Sequence, residues 1–272
     1  MPTEIEWYVG HPKFFIKGQL YEREEVLPKM QEILRLNPLC IALAEEVHSF
    51  LGNVLILSTW QEQDESTLVT YGSKYPENIH ITLGLNSDRI VESLSHELLH
   101  AQLLKQGFPR LDAKVAIPYE DFYFPLLNMV QHELMIFPYQ ELGLNPLAFL
   151  APKQPVDERI ILNHLSRDEV TTIASLIQWY GDMQYQNLAG DATQSAWLED
   201  HWWRVEQRFP GITNKANEVV DWIDRGEYQD PTTFETTFNE LVSIMGLPPI
   251  DMGKDFWFDV VRGPSGAVRR WR

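Results

Sequence analysis

The run Ser95-His96-Glu97-Leu98-Leu99-His100 constrains this chain more than any other. Residues four apart on an α-helix lie about 40° from each other around the axis, so a helix here carries both histidines on one side. Leu98 and Leu99 require burial on the other side. A helix of this kind is embedded in the protein, with one polar stripe turned toward a specific task. Its ends are also written in the sequence: Asn86, Ser87 and Asp88 can each cap its start, and Gly107 and Pro109 stop it near Gln106.

Two imidazoles one turn apart can reach a single zinc ion at about 2.0–2.1 Å. Glu97, beside His96, is placed to take a proton without serving as a ligand. This makes His96 and His100 candidate metal ligands and Glu97 the candidate catalytic base. A catalytic zinc needs a third protein ligand. The form HExxHxxGxxH is absent, since Ala101-Gln102-Leu103 follows His100. The next long helical segment offers Gln131-His132-Glu133. His132 and Glu133 lie about 100° apart on a helix, so only one can face the metal. Leu126, Val130, Leu134 and Phe137 read as the apolar stripe of that segment. Glu133 falls at its edge and His132 beyond it, in line with Asn128. The scarcity of histidine, eight in 272 residues, favours His132 narrowly as third ligand, and Glu133 is its rival.

The surrounding segments predict mixed secondary structure. Glu22–Leu51 reads as helix, interrupted and restarted at Pro38. Val54–Trp60, Thr67–Tyr71 and Ile79–Leu83 read as strands, with a turn at Gly72-Ser73-Lys74. Beyond Pro118 the pattern is helical, over about Asp121–Phe137, Pro155–Leu165, Arg167–Asn187, Ala196–Gln207, Lys215–Arg225 and Thr232–Met245. Pro146, Pro152 and Pro155 suggest a boundary, dividing the chain into residues 1–145, a metal-binding domain, and 146–272, a helical region. The aromatic group Trp197, Trp202 and Trp203 reads as packing.

Charge and composition exclude several roles. A net charge of −17 repels phosphate backbones, so nucleic acid is not an expected partner. The basic tail residues Arg262, Arg269, Arg270 and Arg272 read as a solvated terminus. One cysteine, Cys40, rules out an internal disulfide. No run is apolar over the ~20 residues that a membrane helix needs, so no membrane role is expected and the cytoplasm is the expected location. GxxxxGK[ST], GxGxxG and GxSxG are all missing.

Strands followed by a helix bearing His96-Glu97-Leu98-Leu99-His100 resemble the zincin superfamily of metallopeptidases. A third ligand on a downstream helix is similar to the gluzincin branch and to the small ImmA/IrrE-like domains. The resemblance spans about Leu39–Leu144. It implies an α+β zincin-like domain with a small, mostly antiparallel three-stranded sheet and an active-site helix, followed by a mainly helical region. It also implies Zn2+ as cofactor, Glu97 as general base and a peptide or protein as substrate. Ile79–Leu83 would be an edge strand pairing with that substrate; Tyr119, Tyr123, Tyr139 and His164 are candidates for stabilising the oxyanion that no spacing singles out, and the tyrosines read first as packing. The alternative is a non-catalytic regulatory or interaction protein on the same scaffold.

Overall fold

The structure is a computed structural model that describes residues 6–9, 13–16, 19–22, 37–51, 55–60, 67–72, 75–84, 90–111, 120–145 and 210–252. It also describes 196, 199–200, 203–204, 206–207, 256–257, 259–260 and 269–270. The expected helices over Pro155–Leu165 and Arg167–Asn187, and residues 23–36, lie outside these.

The zincin-like α+β domain expected from the sequence is overturned. Of the residues described with their side chains, 78% are helical and none belongs to a strand or sheet. The strands are described by their backbone alone, and they do not form a small, mostly antiparallel three-stranded sheet. β1 (Glu6–Val9), β4 (Leu55–Trp60), β6 (Tyr75–Gly84) and β5 (Thr67–Gly72) line up in that order in a four-stranded sheet. β1 with β4 and β4 with β6 run parallel, and only β5 with β6 runs antiparallel. Leu57 therefore sits between Trp7 and Ile81 in register. Ile79–Leu83 is also not an edge. β6 is bonded on both sides, so its backbone groups have no capacity left for an added peptide strand. Short two-stranded pairs are also formed among the described residues: β2 (Lys13–Ile16) with β3 (Gln19–Glu22), β7 (Arg110–Leu111) with β8 (Phe256–Trp257), and β9 (Asp259–Val260) with β10 (Arg269–Arg270). Two arginines of the basic tail thus form a strand.

Backbone contacts divide the chain into two units. One comprises Met1–Gly107, Phe137–Leu144 and Phe258–Trp271. It contains the four-stranded sheet, α1 (Pro38–Leu51) and α2 (Ile90–Gln106). Pro38 opens α1 because a missing N–H costs nothing at the first helical position. Asn37 precedes it as a cap, its Oδ1 accepting from Cys40 N at 3.0 Å. Cys40, Leu43, Ala44 and Val47 are buried at the i, i+3, i+4, i+7 spacing of a single helix face. α1 packs on α2, whose Leu94, Leu98, Leu99, Ala101 and Leu103 are buried. α2 ends where predicted, with Gly107 at φ 95°.

The other unit comprises Phe108–Ile136, Asn145–Trp257 and Arg272. α4 (Ile212–Arg225) and α5 (Phe234–Ile244) bury Trp222, Phe234, Phe238 and Leu241. Phe108 meets Phe234 edge-on at 5.4 Å, and Trp222 stacks on Tyr228 at 5.1 Å. Asn239 holds both the N–H and the carbonyl of Ile250 at 2.8 Å, which pins the chain after α5. Trp203 is 63% exposed and so does not pack as the aromatic group was expected to.

α3 (Glu120–Glu141) departs from its expected limits and stripe. It runs through Pro138 instead of stopping at Phe137. It closes with Leu142 N on Pro138 O at 3.2 Å and Gly143 N on Gln140 O at 2.9 Å, with Gly143 at φ 74°. Its first half buries Tyr123, Leu126, Leu127 and Val130. Its second half buries Met135 and Tyr139, about 140° and 180° around the axis from Val130. Phe137, in line with Val130, is 65% exposed. Tyr123, Leu127, Gln131, Met135 and Tyr139 are buried at every fourth position, so the buried face winds around the helix by about 40° per turn and leaves Phe137 outside it.

Candidate metal centre

α2 presents His96 and His100 from successive turns. Their Nε2 atoms lie 3.2 Å apart, with ring centroids separated by 4.9 Å and planes tilted by 59°. Such a pair can share a proton, one ring donating to the other. It also suits one ion: bonds of about 2.0–2.1 Å at tetrahedral angles put ligand atoms roughly 3.3 Å apart.

His132 of α3 joins them. His96, His100 and His132 each offer a ring nitrogen, and these atoms all lie within 4.8 Å of one another. No Cys, Asp or Glu belongs to this group among the described residues, so Glu133 is not part of it. His132 lies on the side of α3 that buries Met135 and Tyr139 in the second half. Tyr139, seven residues on, is about 20° from it around the axis. This placement follows from the winding of the buried face, which the stripe drawn through Phe137 could not reveal.

The donor set fits a zinc ion. All three ligands are imidazoles, a nitrogen set that zinc accepts in catalytic sites. A metal requires them neutral. Burial holds His132 well below the ordinary histidine range, at about 4, so its ring carries no proton charge near pH 7. All three histidines are half-buried. Glu97 is 7% exposed, a carboxylate kept out of bulk water one residue from a ligand. Ser95, on the flank of α2, is fully buried near Cys40, whose thiol burial pushes upward.

The candidate oxyanion groups fare differently. The Tyr123 hydroxyl donates to Pro248 O at 2.7 Å and is committed there. Tyr139 is fully buried. Tyr119 and His164 lie outside the described residues. No helix among the described residues is long and apolar enough to cross a membrane. No family model matches the chain, and neither a curated protein nor a solved structure is found to be similar to it.

Proposed function

We propose that this chain is a zinc-dependent hydrolase that cleaves peptide bonds. The observation that carries the reading is the convergence of three ring nitrogens within 4.8 Å, with a buried carboxylate adjacent in sequence to one of them. His96, His100 and His132 would hold the ion. When bound, zinc polarises a carbonyl and makes water a better nucleophile near neutral pH.

The protein's own groups do the rest. Glu97 accepts a proton from the attacking water and returns it to the departing amine. Its burial keeps the carboxylate out of bulk water, next in sequence to the ligand His96. The aliphatic side of α2, anchored by Leu94 and Leu98, fixes the two histidines so that the site is formed before substrate arrives. On this reading the chain works in the cytoplasm, where its one thiol, buried Cys40, stays reduced.

The test is metal content by inductively coupled plasma mass spectrometry, beside hydrolysis of a mixed peptide library. About one zinc per chain is expected, lost in His96→Ala and in His132→Ala. Glu97→Gln should retain the metal and lose turnover by about 10²–10⁴-fold. A parent protein that takes up no zinc after incubation with it would overturn the proposal. So would a Glu97→Gln variant as active as the parent.

A further inference from the structure

One amide interrupts the buried row of α3. Tyr123, Leu127, Met135 and Tyr139 fill that row with aromatic and apolar side chains, and Gln131 sits in the middle of it, 8% exposed. A buried amide without a partner is unfavourable, so a position that a leucine could fill calls for a specific bond. Gln131 makes one. Its Nε2 donates to Pro109 O at 2.9 Å, in a buried setting. Pro109 is itself buried, and both residues belong to the same unit.

Along the chain the bond falls between the carriers of the histidines. Pro109 is nine residues after His100, just past the Gly107 turn that ends α2, and Gln131 immediately precedes His132. Apolar burial is non-directional and leaves a helix some freedom to rotate about its axis. The buried row of α3 also winds by about 40° per turn, so it offers no straight seam to lock that rotation. A hydrogen bond has a preferred length and angle, and it does lock it. The requirement is strict for a metal ligand. Side-chain atoms lie about 5–6 Å from a helix axis, so a rotation of about 20° moves one by about 2 Å. That equals a whole zinc–nitrogen bond of about 2.0–2.1 Å.

We propose that Gln131 is a positioning residue for the third ligand: its bond to Pro109 sets the rotation of α3 at which His132 joins His96 and His100. The inference rests on the metal-binding part of the reading above. Gln131 is about 100° from His132 around the axis and its amide is engaged with Pro109, so it acts through the imidazole and is not a ligand.

α3 supplies its own control. The Tyr123 hydroxyl makes a second bond to a backbone carbonyl, Pro248 O at 2.7 Å, about 12 Å along the axis from Gln131. Zinc affinity is measured by competition with a chromophoric chelator, and metal-free stability by thermal unfolding. Gln131→Met keeps the bulk, loses the bond and should bind zinc about tenfold more weakly. Gln131→Asn, an amide one carbon short of Pro109, is the second probe and should behave likewise. Tyr123→Phe should lower stability and leave zinc affinity intact. In a His132→Ala background Gln131→Met should not weaken the residual affinity further, since the two act as one unit. Loaded with Co2+, the parent should show the intense visible bands of a four-coordinate ion, and Gln131→Met should lose intensity. Unchanged zinc affinity in both Gln131 variants would overturn the inference. So would an equal loss in Tyr123→Phe, or a loss that persists without His132. A parent that takes up no zinc would refute the metal reading itself. A parent that binds zinc with this pattern of affinities but cleaves no peptide would refute the hydrolase reading and leave the role of Gln131 standing.

Discussion

Acid should destabilise the metal-free protein through His132 in particular. An unfolded chain leaves this imidazole near its ordinary pKa of 6.5, whereas burial lowers it to about 4 in the fold. Between those values the unfolded state binds more protons than the folded state, so stability rises with pH and is lost as pH falls. The difference of about 2.5 units corresponds to about 3 kcal/mol at pH 4 relative to pH 7. For a chain of this size that is a fall of about 6–10 °C in melting temperature. The assay is thermal unfolding in EDTA at intervals from pH 7 to pH 4, for the parent and for His132→Asn. The variant lacks the titrating ring, so its curve should be flatter by about that amount, whatever its absolute stability. Curves of equal slope would refute the reasoning, because the burial assigned to His132 would then cost nothing on protonation. Saturating zinc should flatten the parent's curve down to the pH at which protons displace the ion.

Other outcomes follow from separate features. Asn37→Ala removes the cap on Cys40 N and should cost about 1 kcal/mol, measured by urea unfolding. Leu98→Ala opens a cavity behind the histidine face of α2. It should cost about 2–5 kcal/mol and weaken zinc affinity, as isothermal titration would show. The Glu206 carboxylate accepts from Gly211 N at 2.9 Å, Thr213 N at 3.0 Å and Thr213 Oγ1. These bonds, Gly211's foremost, hold its pKa below the usual range. Carboxyl-detected NMR should find it titrating below the ordinary glutamate value, and Thr213→Val should raise it.

Local chemistry was legible in the sequence. The start of α1 follows from Pro38, the end of α2 from Gly107, and the limits of β4 and β5 from their apolar runs, whereas β6 begins at Tyr75, four residues before the expected Ile79. What a strand pairs with was not legible. β1 is only four residues long, and its parallel pairing with β4 joins positions about fifty apart, which no local pattern encodes. The chain order β4, β5, β6 suggested neighbouring hairpins. Instead β6 inserts between its two predecessors and surrenders the edge expected to capture substrate. The HExxH spacing identified two members of the histidine group without reference to fold. The position of His132 depends on how α3 is buried, and there the periodic reading went astray from Leu134 onward.

The winding of the buried face along α3 makes that helix sensitive to phase. Val130 and Met135 are keyed to environments about 140° apart, and the four residues between them, His132 included, act as a fixed angular spacer. Substitutions in that spacer alter side chains one at a time. A one-residue insertion or deletion would rotate everything beyond it by about 100°, taking either Tyr139 out of its buried seat or the imidazole away from His96 and His100. Sequence length here is thus a geometric parameter of the histidine group, and α3 should tolerate changes of residue identity in this stretch far better than changes of residue number.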